Sequence, residues 1–400
     1  MSRVAVRSRH WLPFTQMRDF DAGSRTFVRG SGTTLVDGAG NEIFDAISSV
    51  WTTIHGHSHP QIVAAIARQA ATLDHATSLG ATNPVADELA ERLCALTALD
   101  AALFASDGAS AIEAALKMAV QFWQSQGEGR RTKFVHLRDS YHGDTAGAMG
   151  VSDIAVFRDR FAPLIVESIR YEDAPEALAR DDVAAIVFEP RVQAAAGMRV
   201  VAPERYAGMR GEHAPLLIAD EIATGFGRTG SMFAYAALGL TPDLVCLGKG
   251  ITGGTLALSA VLATERIYDA FLGSPDAGRQ FYHGHSYAGN PIACAAALAS
   301  LELFETERTL AHVAELDAVL DEILAPLRAH PLVRDVRRVG LMAGIDVAVD
   351  AVRVVRELYV RGQFTRPIGS TIQLVPPLCS TRAELAGFVA GLTGVLDGLG

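Results

Sequence analysis

Six short runs of almost unbroken apolar residues recur through the middle of the chain, at positions 101–106, 132–137, 184–189, 215–220, 243–248 and 257–263. Most are bounded by Asp, Gly or Pro, and helical stretches separate several of them. A strand that is apolar on both faces must be covered on both. That is the habit of parallel sheets with helices above and below. The pattern predicts an α/β fold with a mostly parallel central sheet.

The helices are read from spacing and caps. Ile62, Val63, Ile66, Ala70 and Leu73 recur at helical spacing after Pro60. Asn83 and Pro84 open a second helix as N-cap and first helical residue. Ser110 and Glu113 have the spacing of a capping box, which predicts a helix from Ser110 to about Gln124. Earlier, Asp37-Gly-Ala-Gly between two apolar runs reads as a hairpin turn. A long helical region runs from "GNPIACAAALASLELF" to about Ala329. Beyond it, strands near Val339–Val347 and Gln373–Val375 and two helices suggest a smaller α+β domain. At 400 residues, two domains are expected.

Charge and cysteine usage exclude several classes. The net charge is −10, and the best basic run is Arg3, Arg7 and Arg9, so no nucleic-acid partner is expected. No apolar run follows those arginines, which argues against a secretory signal. No stretch reaches the roughly 18 apolar residues of a membrane span. Cys94, Cys246, Cys294 and Cys379 lie far apart in apolar surroundings and read as free thiols of a reducing, cytoplasmic compartment. His55, His57 and His59 alternate, as do His283 and His285. They lack acidic companions at ligand spacing, so no metal is expected.

Only three of the 35 basic residues are lysines: Lys117, Lys133 and Lys249. Lys249 follows a fully apolar strand and precedes a glycine-rich turn, the edge at which α/β sheets bind ligands. A partly desolvated lysine there has a lowered pKa and can form a Schiff base. Asp220 ends another apolar strand, 29 residues earlier. A carboxylate in that place can hold Mg²⁺, a ribose or the ring nitrogen of pyridoxal phosphate. The turn Gly108-Ala109-Ser110 joins a strand to a helix start, where backbone N–H groups form an anion site. Tyr141 and His142 follow the strand at 132–137 and can place an aromatic ring over a flat cofactor.

With these residues in hand, "ADEIATGFGRTG" ahead of the lysine in "GKGITGG" resembles the class III aminotransferases of pyridoxal-phosphate (PLP) fold type I. The resemblance runs from "HWLPFTQMRDF" to "RPIGSTIQLVPPL", almost the whole chain. "SSVWTTIHGHSHP", "ALKMAVQFW" and "YHGDT" look like the branch that aminates 8-amino-7-oxononanoate to 7,8-diaminononanoate in biotin biosynthesis, with lysine or S-adenosylmethionine as donor. The resemblance implies a large PLP-binding domain at 51–285. Residues 1–50 and 286–400 would form a small domain, and the active site would be shared across a homodimer.

Residue by residue it implies that Lys249 is the Schiff-base lysine and proton shuttle, that Asp220 pairs with the pyridine nitrogen, and that Tyr141, followed by His142, stacks beside the ring. Gly108, Ala109 and Ser110 would hold the phosphate, with Ser286 reaching in from a second copy. Glu189 and Gln193 would lie near the cofactor. Trp51 would line the substrate pocket, Arg366 would bind a substrate carboxylate, and Arg228 would lie near the substrate. Phe14 stands where many members have tyrosine, and Val50 where many have a first tryptophan. A hydroxyl and a broad ring face suited to a sulfonium are thus absent, which favours lysine as donor. An ω-amino acid:pyruvate aminotransferase, with a similar "HW-PF" start, is the alternative enzyme. A PLP-binding protein without turnover is the alternative from another class.

Overall fold

The structure is a computed structural model that describes residues 9–22, 25–209 and 214–399. Three short strands open the fold: β1 (Phe27–Ser31), β2 (Thr34–Asp37) and β3 (Glu42–Asp45), paired antiparallel in chain order. The β2–β3 turn is the expected hairpin. The Asp37 carboxylate closes it by accepting from the Ala39 and Asn41 amides.

The central sheet comprises β4 (Ala101–Ala105), β5 (Lys133–His136), β6 (Ile169–Arg170) and β7 (Val183–Phe188). A small antiparallel pair, β8 (Val192–Gln193) and β9 (Arg199–Val200), follows β7. The sheet then gains β10 (Leu216–Asp220), β11 (Leu244–Leu247) and β12 (Ser259–Ala263). Its spatial order is β4-β12-β11-β10-β7-β5-β6. All neighbours are parallel except β12, which runs antiparallel to both β4 and β11. All six of the sequence's apolar runs are strands of this sheet.

Strands β7, β10, β11 and β12 are buried throughout, because both faces are covered. Successive residues alternate between two apolar cores. Leu217, Ala219, Val245 and Leu247 join one. Leu216, Ile218, Leu244 and Cys246 join the other, against the helix Gly108–Ser125. Each buried Leu, Ile or Val is worth about 1.5–3 kcal/mol against exposure. The sheet is therefore rigid where its strand ends carry polar groups.

The C-terminal part has the helices Pro291–Thr306 and Thr309–Arg328, followed by β13 (Val333–Val339), β14 (Met342–Val347), β15 (Gln363–Phe364), β16 (Pro367–Ile368) and β17 (Thr371–Leu374). The helical region is thus two helices, broken where Arg308 takes a left-handed φ of 53°. The stretch Val339–Val347 is likewise not one strand. It is the end of β13, a turn at Gly340 (φ 56°) and β14. These strands form a sheet ordered β13-β14-β17-β16, while β15 lies parallel to β3 of the N-terminal sheet. No helix among the described residues is long and apolar enough to cross a membrane.

Candidate active site

Strands β4, β5, β7, β10 and β11 all point the same way, so the residues following them collect at one edge of the sheet. A cavity of about 790 Å³ opens there, and Gly108, Ala109, Tyr141, His142, Glu189, Asp220 and Lys249 line it. Segments from outside the sheet close it: Phe14, Val50 and Trp51 from the N-terminal part, Arg366 and Gln373 from the C-terminal part.

Lys249 follows β11 by one glycine and sits at a left-handed φ of 42°. Its Nζ lies 4.8 Å from the centre of the Trp51 ring and makes no hydrogen bond among the described residues. Burial lowers its pKa, while Asp220 and Glu189 pull the other way. Asp220 ends β10, beside Cys246 of β11. One carboxylate oxygen accepts from the Ile222 amide at 3.0 Å, and the other is 2.7 Å from His142 Nδ1. His142 is held in turn by its own amide, which donates to Ser152 Oγ at 2.9 Å. Its Nε2 is buried with no partner.

The helix after β4 begins at Gly108, two residues before the expected start. Its cap is Asp107, whose carboxylate accepts from the Ser110 amide at 3.0 Å and the Ser110 hydroxyl at 2.9 Å. Glu113 makes no capping box and accepts instead from the Gly147 and Ala148 amides. Gly108 and Ala109 therefore line the cavity, with no amide hydrogen bond among the described residues, while Ser110 is occupied by Asp107 and stands outside the lining. The turn is tightly seated. A Cβ on Gly108 would lie 2.9 Å from the Ile222 side chain, and one on Gly143 would lie 2.4 Å from Ala109 Cβ.

Tyr141 donates its hydroxyl to Asp144 at 2.9 Å and its amide to Glu189 at 3.1 Å. Its ring meets Phe157, which meets Phe14, each pair edge to face at 5.5 Å. Glu189 also accepts from the Ala194 amide. Burial, reinforced by Asp220, pushes its carboxyl up to about 7.

Trp51 and Val50 belong to an unusual turn. Ser48, Ser49, Val50 and Trp51 have φ of 50°, 47°, 66° and 69°, a left-handed turn without glycine. The Trp51 amide donates to Ile47 O, and the Thr52 amide to Ser48 O. Each such residue costs about 1–2 kcal/mol. The turn points Trp51 across Lys249, and Trp51 Nε1 donates to Gln373 Oε1 at 2.9 Å. Arg366, which also lines the cavity, has no carboxylate partner among the described residues.

Besides Ser110, three expected site residues lie outside the cavity lining. Arg228 is fully buried behind the wall, where it donates to the carbonyls of Thr53 and Pro376. A guanidinium so enclosed cannot meet a substrate, and burial lowers its pKa to about 9. Gln193 is buried, does not line the cavity, and donates its side-chain amide to Arg138 O. Ser286 is exposed on the 281–290 loop, away from this chain's own cavity. Sequence reasoning passed over Asp107, Asp144, Phe157, Ile222 and Gln373. Only Asp107, an N-cap residue type at a strand–helix junction, carried a readable signal. The alternating histidines take separate polar partners: His55 meets Ser300 O, His57 meets Asp45, and His59 meets Glu307.

The model of the aminotransferase class-III family matches residues 18–396. The chain belongs to the class-III aminotransferases. Among similar proteins, an adenosylmethionine-8-amino-7-oxononanoate aminotransferase of Synechococcus elongatus is 40% identical, with 97% of this chain and 98% of that one covered. One from Geobacter sulfurreducens is 38% identical over 96% and 94%. The crystal structure of the Methanocaldococcus jannaschii protein of that name superposes with a TM-score of 0.93 at 36% identity, covering 98% and 97%. An amine transaminase from an uncultivated Pseudomonas species, solved with PLP bound, also gives 0.93, at 32% identity and 99% and 100% coverage. Class-III aminotransferases work with PLP, and this cavity fits it. It offers a lysine amine that makes no hydrogen bond among the described residues, a buried carboxylate fixed by a histidine, backbone amides at a helix start, and an aromatic side chain.

Proposed function

We propose that this aminotransferase converts 8-amino-7-oxononanoate to 7,8-diaminononanoate, a step of biotin biosynthesis. The observation that carries this reading is the end-to-end similarity of this chain to relatives of that one name, at 38–40% identity. Turnover of 8-amino-7-oxononanoate by the purified holoenzyme tests it, with pyruvate and 2-oxoglutarate as competing acceptors. The amine transaminase at 32% identity favours a second reading, an ω-amino acid or amine aminotransferase. Preference for pyruvate would establish that one.

When bound, PLP supplies an electron sink for the carbon that loses its proton. The chain's residues do the rest. Lys249 Nζ takes the proton from the donor's carbon and returns it, a role its lowered pKa suits. Asp220, fixed by His142 and the Ile222 amide, presents a negative charge to the ring nitrogen. The amides of Gly108 and Ala109 would donate to the phosphate oxygens at the helix start. Tyr141 flanks the ring, and Glu189 holds the Tyr141 backbone in place. Arg366 takes the substrate's carboxylate in a planar fork. One site serves donor and acceptor in turn.

The donor we propose is lysine, on the cavity wall rather than on the relatives' names, which specify adenosylmethionine. Phe14 lacks the hydroxyl of a tyrosine, and Val50 lacks the broad ring face that a tryptophan would offer an adenosyl sulfonium. Spectra of the bound cofactor after addition of each donor decide this. A rapid change with adenosylmethionine and none with lysine overturns it.

The working unit we propose is a cytoplasmic homodimer. Leu79, Tyr282 and Tyr287 are exposed on two loops tied together by Ser78 Oγ and the Ala288 carbonyl. A second copy seated on these apolar groups would carry Ser286 to its neighbour's cavity. The four cysteines are unpaired, which supports a reducing compartment. The β15–β3 pairing supports a small domain built from both ends of the chain, 1–50 and 286–400, around a large domain at 51–285.

A further inference from the structure

Asp45 is completely buried at the end of β3, and it does not line the cavity. Its carboxylate gathers three groups. Oδ1 accepts from the Ile47 amide at 3.3 Å. Oδ2 accepts from the Ser49 hydroxyl at 2.9 Å and lies 2.8 Å from His57 Nε2, which donates to it. Two of the three donors, Ile47 and Ser49, border or belong to the left-handed turn at 48–51. The third, His57, is fastened to the N-terminal sheet by paired backbone bonds with Gly32. The far side of the turn is fastened separately. Ser48 Oγ donates to Val375 O, and buried Arg228 bridges the carbonyls of Thr53 and Pro376.

A turn of four non-glycine residues at positive φ persists only where its surroundings over-determine it. Here the surroundings are polar bonds, and the Asp45 carboxylate holds three of them. What the turn delivers is the Trp51 ring, 4.8 Å from Lys249 Nζ and bonded to Gln373. We propose that Asp45 is a positioning residue for substrate recognition, acting through Trp51. It fixes the turn that sets the indole at the cavity wall, and it makes no contact with substrate or cofactor. The inference rests on the aminotransferase reading of the cavity. It adds a residue that no motif singled out, and it gives the part-buried His57–Asp45 pair a purpose.

The test is a double-mutant cycle on the holoenzyme. Asp45→Asn and Ser49→Ala are each made alone and on a Trp51→Ala background. For each, KM and kcat for donor and acceptor, cofactor absorbance and thermal unfolding are measured. Asp45→Asn is expected to raise KM about tenfold, and Ser49→Ala about threefold, with kcat within about twofold and the cofactor still bound. On the Trp51→Ala background both KM effects are expected to shrink below about twofold, because the group they act through is gone. Undiminished KM effects on that background overturn the proposal. So does a loss of thermal stability with KM unchanged, which would mark Asp45 as structural only. If Asp45→Asn does not fold, the Ser49→Ala arm decides by the same criterion. Should wild-type enzyme fail with 8-amino-7-oxononanoate, the substrate reading falls by itself. The cycle is then run on whichever amine and acceptor it turns over.

Discussion

Lys249 was legible at the scale of the single residue because lysine is so rare in this chain. The other two are engaged elsewhere: Lys133 pairs with Asp182 at 3.0 Å, and Lys117 lies 3.1 Å from His283 Nδ1. Lys249→Ala is expected to fold normally and to lose transamination by at least about 10²–10⁴-fold, the range for a positioned proton carrier. Steady-state rates alongside a melting curve check this, and a near-normal rate would move the proton transfer to another group. Arg228 misled for a physical reason. Its motif announces an arginine near the site but not which way the side chain turns, and it turns into the protein. His55 carries a second prediction. Burial lowers its pKa from 6.5 to about 4, with His59 and Arg228 adding to the effect and the Ser300 carbonyl opposing it. The unfolded chain therefore binds a proton between these pH values that the folded chain refuses. Stability falls as pH drops through that window, by about 3 kcal/mol at most. Urea melts from pH 7 to pH 4 should show a flatter profile for His55→Gln than for wild type, and parallel profiles would refute the assignment.

At the scale of elements, the central strands were readable because burial on both faces leaves continuous apolar runs. Their polar ends marked Asp220 and Lys249 at the same time. The start of the helix at Gly108 was misplaced because the Ser110–Glu113 spacing read as a capping box and Asp107 was passed over. Asp107 is the cap, since its carboxylate reaches the Ser110 amide, while Glu113 is drawn to Gly147 and Ala148. The left-handed turn had no readable signal at all, because the residues that usually announce positive φ are glycines and "SSVW" has none. The phosphate turn yields a paired prediction. Gly143→Ala would put a Cβ 2.4 Å from Ala109, at a φ of 129°. It should destabilise by about 1–3 kcal/mol and weaken cofactor binding. Gly127→Ala meets open space at a φ of 79°. It should cost only about 1–2 kcal/mol of backbone strain and leave cofactor affinity alone. Equal cofactor affinities for the two variants would show that the turn is not held by this contact.

Across the whole molecule, the cavity draws on segments that are distant in the chain: Phe14 and Trp51 near the start, Lys249 from the central sheet, Arg366 near the end. Periodicity and caps are local, so they could place each segment on its own element but not bring the segments together. Only the resemblance assigned Arg366 to substrate binding, and the fold brings it to the cavity through the antiparallel β16–β17 pair and the β15–β3 pairing. Arg366→Ala is expected to raise the acceptor's KM about tenfold to a hundredfold, the worth of a charge-assisted pair, with cofactor binding unaffected. Acceptor kinetics with and without a carboxylate on the acceptor check this. An equal loss for both would place Arg366 outside carboxylate recognition.

The left-handed turn also bears on how such an enzyme can change over generations. Val50 is a β-branched residue at a φ of 66°, among the poorest choices for that backbone, and it faces the cavity while still 37% exposed. Exchange for an unbranched residue, or for asparagine, should leave stability unchanged or raise it by about 1 kcal/mol, whatever happens to substrate range. Most positions that reshape a pocket lie in packed surroundings, where new side chains lower the melting temperature. Here innovation and robustness would not compete. A library at position 50, scored in parallel for melting temperature and amine preference, should show the two drifting independently.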